Sequence, residues 1–169
     1  MQNKYAYLMI DYETPSFIKD IHSQLLDNEL YKEEDGDNGL ELETHVTLAP
    51  CLDNNIDLEE LKKHLLPLNK YTILLNNIST FDNELYDVLK CDVQCDFLHN
   101  TNHLLKSIYP MHTEYDEYHP HLTIAYLNKG GICDRFKKDI LTPLVILKPK
   151  CFNFSFYNDN DEMENIRFI

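Results

Sequence analysis

The stretch YHPHLTIAYL, residues 118–127, places a histidine and a threonine two positions apart in an apolar, strand-like run. An earlier stretch, ELETHVTLAP at residues 41–50, repeats this arrangement. Both contain the order His-apolar-Thr-apolar, as His45-Val46-Thr47-Leu48 and His121-Leu122-Thr123-Ile124. One such tetrapeptide is usually incidental, because threonine favours strands and histidine tolerates a partly exposed face. Two copies in separate parts of the chain indicate a weak internal duplication.

Alternation of apolar and polar residues predicts that both stretches are half-buried strands. Successive side chains of a strand point to opposite faces, so His45 and Thr47 share one face, about 7 Å apart along the strand. The same rule assigns four residues to one face of the second strand: His119, His121, Thr123 and Ala125. If the two strands lie side by side, two imidazoles and two hydroxyls converge on one small volume.

Two imidazoles and two hydroxyls are sufficient to cleave a phosphodiester. A neutral imidazole can take a proton while a protonated one gives a proton up. Threonine hydroxyls can donate hydrogen bonds to the phosphoryl oxygens as negative charge develops in the transition state. The candidate catalytic residues are therefore His45, Thr47, His121 and Thr123, and this chemistry requires no cofactor and no metal.

A metal site is the competing interpretation of the histidines. His119 and His121 share a predicted face, His112 is nearby in sequence, and acidic residues are abundant. However, the chain contains neither HExxH nor CxxC, and alternate histidines on a strand are a poor zinc signal. We therefore expect no bound metal.

The charge balance excludes one class of partner. The 169 residues include 29 acidic and 15 basic side chains, which give a formal net charge of −14. Sequence-independent binding to duplex nucleic acid depends on many lysines and arginines, so we expect no duplex partner. A small phosphate ligand remains compatible, because a local site can be neutral or positive on an acidic protein.

Compartment and association are predicted from the same composition. The first fifteen residues, MQNKYAYLMIDYETP, lack the apolar region of a signal peptide, and no stretch is long enough to span a bilayer. Five cysteines form no CxxC pair, which is typical of reduced thiols in a cytosolic protein. We expect a cytoplasmic protein with no membrane partner; a monomer is favoured, and the oligomeric state stays open.

Residue periodicity predicts the element order β-α-β-α-β-β-α-β-α-β-β. Thr14 and Asp57 are the expected N-caps of the first two helices. The acidic segment at 32–38 is expected to be an exposed loop. The chain divides near residues 79–83 into two halves, each with helices and one His-x-Thr strand, within a single domain spanning 1–169.

Paired His-apolar-Thr-apolar motifs in a two-part α+β chain resemble the 2H phosphoesterase superfamily, which includes the LigT-like or 2′-5′ RNA ligase proteins. The resemblance covers the order of elements along nearly the whole chain and depends mainly on the two tetrapeptides. It implies an α+β fold of two pseudo-symmetric lobes, with antiparallel sheets facing a central cleft and helices outside. It also implies that His45 and His121 are the acid–base pair, and that Thr47 and Thr123 bind the phosphate.

The segments FDNELYDVLKCDV (residues 81–93) and YHPHLTIAYL resemble more narrowly the viral branch of this superfamily. Some members of that branch destroy the cyclic oligonucleotide messengers of antiviral signalling. The resemblance implies a phosphodiesterase that hydrolyses a cyclic di- or oligonucleotide such as cyclic GMP-AMP, and thereby serves viral immune evasion in the host cytoplasm.

Aromatic side chains are the expected contacts to such a substrate. A cyclic dinucleotide can be held by one phosphate clamp and by stacking of its bases on aromatic rings, without a basic groove. The chain has eleven tyrosines and eight phenylalanines. The candidate substrate-binding residues are Tyr12, His119, Phe154, Phe156 and Tyr157.

Three alternatives stay open. The same four catalytic residues would serve an enzyme that opens 2′,3′-cyclic phosphate ends of RNA or cuts 2′-5′ linkages, with short RNA ends as partners. A nucleotide-binding sponge would use the same cleft without needing two proton-transfer groups. An α+β interaction protein would contain the motifs by chance.

Overall fold

The computed structural model describes residues 5–32, 39–53, 55–113 and 115–169. The elements within these ranges follow the predicted order except near the C-terminus. The strands are β1 (Tyr5–Tyr12), β2 (His45–Asp53), β3 (Ile73–Asp82), β4 (Tyr86–Gln94), β5 (His121–Asn128), β6 (Val145–Leu147), β7 (Pro149–Tyr157) and β8 (Met163–Phe168). The α-helices are α1 (Ser16–Gln24), α2 (Leu58–Lys63) and α3 (Asp96–Ile108). The acidic segment predicted at 32–38 lies outside the described residues except for Lys32.

The fourth helix expected from the sequence is replaced by a single 3-10 turn at Ile132–Arg135. Its continuation pairs with β3 instead of forming a helix. Ile78 and Lys138 exchange two backbone hydrogen bonds, of 2.9 and 3.0 Å, and the Leu141 amide donates to the Asn76 carbonyl at 2.8 Å. These bonds use backbone groups that a longer helix would need for itself.

The strands form two antiparallel four-stranded sheets, with the orders β2-β1-β7-β8 and β5-β4-β3-β6. The C-terminal part of the chain supplies strands to both sheets, since β6 joins the second and β7 and β8 join the first. Residues 79–83 lie at the end of β3, inside the second sheet. A division of the chain at that point therefore does not separate the two sheets.

Each sheet packs one face against the apolar core. Leu8, Ile10, Val46 and Leu48 are fully buried on this face of the first sheet. Each half of the chain packs a helix on a strand of the other half: α1 contacts β5, and α3 packs on β2. The opposite faces of the two sheets flank the central cleft, so the structure has the two-lobed α+β architecture that the resemblance implied.

A β-bulge follows the His-x-Thr motif in both strands. Thr47 and Ala49 pair with the consecutive residues Met9 and Leu8, which leaves Leu48 as an extra residue in β2. In β5, Thr123 and Ala125 pair with Lys90 and Leu89, which leaves Ile124 as the extra residue. The duplication therefore extends to five residues, HVTLA and HLTIA, that share one backbone irregularity.

The bulge corrects one prediction from the sequence. Ala125 was expected to share a face with His121 and Thr123, but it is completely buried. An extra residue in a strand shifts the alternation by one position, so Ala125 points to the core and Tyr126 points to the cleft face.

Side chains from the opposite lobe hold the bulges in place. The Asn102 amide of α3 donates to the Leu48 carbonyl at 2.8 Å. The His22 Nε2 of α1 is 2.8 Å from the Ile124 carbonyl oxygen, which can only accept a hydrogen bond. Both contacts are to edge strands, and the Ile124 carbonyl also accepts a hydrogen bond from the Glu41 amide at 3.2 Å.

The helix starts agree with the predictions in one case of two. The Asp57 carboxylate caps α2 by accepting hydrogen bonds from the Glu59 and Glu60 amides. Thr14 does not cap α1, whose N-cap is Pro15. The Thr14 hydroxyl instead accepts a hydrogen bond from the buried Thr44 at 2.9 Å.

Within the described ranges, no helix combines the length and apolar character that crossing a bilayer requires.

Candidate active site

The two His-x-Thr strands meet at the centre of the molecule. Strands β2 and β5 lie against each other, and the Tyr118 hydroxyl, just before β5, donates to the Thr47 carbonyl at 2.8 Å. His45 and His121 are close enough that the charge of His45 contributes to lowering the pKa of His121. The tertiary structure therefore brings together the four residues predicted to be catalytic.

Both histidines are oriented by the same backbone contact. The Nδ1 of His45 is 2.7 Å from the Glu43 carbonyl oxygen, and the Nδ1 of His121 is 2.7 Å from the His119 carbonyl oxygen. A carbonyl oxygen only accepts, so each Nδ1 carries a proton. In the neutral ring, Nε2 then holds the lone pair. No hydrogen bond to Nε2 of either ring occurs within the described ranges, so both atoms are available to a ligand.

The two threonines flank the histidines on the cleft face. Thr47 and Thr123 are half-buried, whereas the residues that precede and follow each of them are buried in the core. Neither hydroxyl bonds to another group in the part of the chain that the structure describes. Two unengaged hydroxyls beside two imidazole Nε2 atoms form a site that can receive a tetrahedral, negatively charged group.

Each histidine faces an aspartate on the neighbouring strand. Asp11 of β1 pairs with His45, and Asp92 of β4 pairs with His121. Residues paired across antiparallel strands project from the same face, so both carboxylates lie on the cleft side. The pseudo-symmetry of the site therefore includes these acidic partners, which the sequence analysis did not identify.

Asp92 and Asp11 form ion pairs with different kinds of cation. Asp92 forms an ion pair with Lys90 and accepts hydrogen bonds from Asn77 at 2.7 Å and Ser79 at 2.8 Å. Burial alone would raise the pKa of Asp92, but the Lys90 ammonium and these hydrogen bonds outweigh burial and lower it. Lys90 is only 5% exposed, and its Nζ also lies 4.3 Å from the centre of the Phe81 ring.

At His45 the corresponding cation is Arg167. Its Nε donates to Asp11 at 3.0 Å and its Nη2 donates to Glu43 at 3.0 Å. Arg167 comes from β8, at the far edge of the first sheet, and remains about half exposed. The first half therefore has a solvent-exposed cation where the second half has a buried one.

The environment of His121 favours the neutral imidazole. Burial is the largest contribution and lowers its pKa, and the nearby Lys90 charge lowers the pKa further. The hydrogen bond to the His119 carbonyl and the Asp92 carboxylate act in the opposite direction. The Phe81 ring meets the imidazole edge-on at 4.9 Å and covers one side of it.

Two cavities are lined by residues that contact His45 and His121, although these two histidines themselves are not among the lining residues. One of about 640 Å³ lies at the end of the first sheet beside His45, and its lining includes Asp11, Glu43 and Arg167. The other, of about 350 Å³, lies beside His121. Its lining includes Phe81, Lys90, Asp92, His99 and His119.

Three of the predicted substrate-binding aromatics lie on the wrong side of the sheet. Tyr12 is 3% exposed and donates its hydroxyl to the Tyr71 carbonyl at 2.7 Å. Phe154 is 4% exposed, and Phe156 packs against the same core. The prediction that Phe154 and Phe156 line the cleft is wrong, because alternation along β7 directs its phenylalanines to the core. Tyr12 borders the larger cavity, but its ring is buried in the core.

The other two predicted contacts remain accessible. The His119 side chain is 65% exposed beside the smaller cavity, 3.6 Å from the Glu117 carboxylate. Tyr157 is 40% exposed and lies near Tyr7 on the cleft face. Burial raises the pKa of Tyr7 to about 12, and Cys51 and Tyr157 make smaller contributions in the same direction.

A second group of rings was not predicted. Tyr31, Tyr86 and Tyr126 form a cluster on the second sheet, with ring centres 4.7 and 5.7 Å apart. Tyr86 shares a face with Lys90 and Asp92 by the period of two along β4. Tyr126 reaches this face only because of the bulge at Ile124, so simple alternation could not have identified it.

The histidine, cysteine and acidic side chains were also considered as metal ligands in the sequence, and their positions bear on that interpretation. Within the described ranges, no three or more histidine, cysteine, aspartate or glutamate side chains are grouped so as to hold a metal ion. All five cysteines are free thiols. Cys151 donates to Asp11 at 3.5 Å, and Cys51 donates to the Tyr7 hydroxyl at 3.6 Å, both near the first sheet's cleft face.

Comparison with known proteins identifies the fold. No protein-family model and no curated protein matches the chain. Among solved structures, the chain is similar to Kluyveromyces marxianus Usb1, solved with uridine monophosphate. The two chains are 8% identical, the likeness covers 98% of this chain and 99% of Usb1, and the TM-score is 0.51. The likeness is one of fold, so the chain has the two-lobed α+β fold of the Usb1 structure.

Proposed function

We propose that this protein is a phosphodiesterase that cleaves a nucleotide phosphodiester by acid–base catalysis between His45 and His121, without a metal. One observation carries the proposal. Two edge strands present the same His-x-Thr arrangement to one cleft, with each Nδ1 proton held by a backbone carbonyl and each Nε2 left available. Thr47 and Thr123 supply the hydroxyls that bind the phosphoryl oxygens.

His121 is the general base in this proposal. Its burial and the nearby Lys90 charge lower its pKa, so the ring rests in the neutral form that can accept a proton. His45 is then the general acid, since the reaction needs one proton donor and the second imidazole is the group on the other side of the cleft.

In the reaction, His121 accepts one proton and His45 donates one proton. The Nε2 of His121 takes the proton of the attacking ribose hydroxyl or water, whose oxygen forms a new bond to phosphorus. The hydroxyls of Thr47 and Thr123 donate to the two non-bridging oxygens as their charge increases. His45 gives its Nε2 proton to the leaving oxygen as that P–O bond breaks. The product is a 2′,3′-cyclic phosphate when a ribose hydroxyl attacks, and a linear monoester when water attacks.

A nucleotide at an RNA end is the substrate that the observations favour, by a small margin. The structurally similar Usb1 was solved with uridine monophosphate, which supports a nucleotide in the corresponding cleft. The net charge of −14 favours a short substrate over a long RNA that would need a basic track. The free thiols favour work in a reducing compartment, the cytoplasm.

A cyclic dinucleotide such as cyclic GMP-AMP is the second candidate substrate. Tyrosines on both sheets favour it, because two bases could stack on two separate aromatic groups. Tyr7 and Tyr157 lie on the first sheet, and Tyr31, Tyr86 and Tyr126 lie on the second. A role in viral immune evasion would follow from activity on this substrate and not from activity on RNA ends.

The test is to incubate the protein, with EDTA present, with a short RNA ending in uridine 2′,3′-cyclic phosphate, with a uridine-tailed RNA, and with cyclic GMP-AMP. Products are resolved by chromatography. His45→Ala and His121→Ala should each lower kcat about 10²–10⁴-fold, because each removes one proton-transfer group. His103→Ala is the matched control, since it removes an exposed histidine of α3.

Three outcomes separate the alternatives. Cleavage of RNA ends alone assigns RNA processing, and cleavage of cyclic GMP-AMP alone assigns messenger degradation. Binding of either ligand without turnover would identify a nucleotide sponge and refute catalysis. Unchanged activity in both single variants would also refute the proposed mechanism.

A further inference from the structure

The Lys90–Asp92 ion pair has a buried cation, whereas the corresponding pair in the other half of the site, Arg167–Asp11, has a half-exposed cation from a different strand. Lys90 lies opposite Thr123, whereas the residue opposite Thr47 is Met9. Lysine is almost never buried unless it is paired, and a buried ion pair adds little stability over an apolar replacement. Methionine occupies the position in the first half that is equivalent to Lys90. The fold therefore does not require a charge at this position.

The pair is held rigidly beside the imidazole. Lys90 donates to Ser79 at 2.7 Å in addition to its bond with Asp92, and Asn77 and Ser79 both donate to Asp92. The Phe81 ring contacts both groups: its centre lies 4.3 Å from Lys90 Nζ and 4.9 Å from the centre of the His121 ring. Only 6% of the Lys90 side chain is exposed, so its charge is little screened by water, whereas the Asp92 side chain is 35% exposed at the wall of the adjoining cavity.

We propose that Lys90 and Asp92 are positioning residues for His121, and that their ion pair, added to the burial of the ring, favours His121 over the pseudo-equivalent His45 as the general base. The pair acts through the imidazole and is not itself required to touch the substrate. This inference rests on the proposed function for the chemical step, but the coupling between the pair and the imidazole can be measured without any substrate.

The groups around His121 determine the direction of each effect. From β4 the Lys90 charge disfavours the imidazolium and the Asp92 charge favours it, and Lys90 has the larger influence. From β2, His45 disfavours the imidazolium. The His119 carbonyl favours it, and the side chains of His99 and His119 line the adjoining cavity.

Lys90→Met and Asp92→Asn therefore have opposite predicted effects on the pH profile of kcat/KM. Lys90→Met, which installs the residue of the first half, makes His121 easier to protonate and moves the acid limb to higher pH. We expect its kcat/KM at pH 6 to fall by up to about fourfold relative to wild type, which is the loss for a ring returned to the ordinary imidazole pKa of about 6.5. Asp92→Asn moves the acid limb to lower pH. Lys129→Met removes an exposed lysine paired with Asp82 and Asp87, and should leave the profile unchanged.

NMR titration of the histidine Cε1 protons measures the coupling directly, with the His121 resonance assigned by its absence in His121→Gln. The titration midpoint should rise in Lys90→Met and fall in Asp92→Asn, while Lys129→Met has no effect. Should Lys90→Met not fold, Asp92→Asn alone still tests the sign. Midpoints that stay in place or move in the same direction in both variants would overturn the inference.

The two hypotheses can fail separately. Wild-type protein with no histidine-dependent cleavage of any substrate would refute the proposed function and, with it, the base assignment, whatever the NMR midpoints show. Normal cleavage with pH profiles that do not shift in opposite directions would refute the role of the ion pair and leave the phosphodiesterase in place.

Discussion

Replacing Asn102 with leucine should destabilise the protein by about 2 kcal/mol, although the change preserves side-chain shape. Asn102 is 7% exposed on α3, and its amide donates to the Leu48 carbonyl at 2.8 Å. Leucine has the same branching and the same number of side-chain heavy atoms, so neither a cavity nor a severe clash is expected. What is lost is the only side-chain contact recorded to the bulged carbonyl of β2 within the described residues.

The magnitude follows from two contributions. Loss of the hydrogen bond itself costs about 0.5–1.5 kcal/mol, and leaving the Leu48 carbonyl buried without a partner costs about 1–3 kcal/mol, with overlap between the two figures. Leucine is a better helix former than asparagine, which returns a few tenths of a kcal/mol, so about 2 kcal/mol remains.

The assay is urea denaturation followed by circular dichroism, with Asn100→Leu as control. Asn100 lies on the same helix and is exposed, so its replacement measures the helix-propensity gain alone. Because β2 carries His45 and Thr47, we also expect kcat of Asn102→Leu to fall about tenfold through misplacement of these groups. If the unfolding free energies of the two variants differ by less than about 0.5 kcal/mol, the bulged carbonyl does not depend on Asn102.

Three further predictions concern the backbone, the link between the strands and pH. Gly39→Ala should lower the melting temperature more than Gly130→Ala: both glycines have positive φ, but a Cβ on Gly39 would lie 2.5 and 2.6 Å from two carbonyl oxygens, whereas one on Gly130 meets nothing within 4 Å. Equal losses would exclude the steric explanation. Tyr118→Phe removes the hydroxyl that donates to the Thr47 carbonyl and should cost about 1 kcal/mol in urea denaturation; an unchanged midpoint would contradict it. Acidification from pH 7.5 to 5.5 should destabilise wild type more than His121→Gln. Since folding lowers the pKa of His121, the unfolded chain binds the proton first as pH falls through about 6.5. Parallel losses in both proteins would contradict this linkage.

Local pattern was enough to predict most of the strands and the candidate catalytic residues. The period of two in HVTLA and HLTIA places each histidine on the same face as its threonine, and that relation depends only on backbone geometry within one strand. The same rule applied to CFNFSFY, residues 151–157, assigns its phenylalanines to one face and Asn153 and Ser155 to the other. The error over Phe154 and Phe156 came from preferring their aromatic chemistry over this alternation.

Other features were beyond the reach of local pattern. A bulge adds one residue without a distinctive local signal, so neither the burial of Ala125 nor the cleft position of Tyr126 could be predicted from alternation. Likewise, the predicted helix after Ile132 is absent because its backbone pairs with β3, more than fifty residues earlier in the chain.

The sequence by itself determined which side chains share a face of each strand, because that follows from the alternation of neighbouring residues. Only the tertiary structure decided which strands are neighbours, and therefore that His45 and His121 share one cleft. It also decided that Asp11 and Asp92 stand beside the histidines, and that Lys90 is buried there while Met9 takes its place in the other half. Strand pairing joins residues far apart in the chain, and its free energy comes from burying whole sheet faces together, which no short stretch of residues contains.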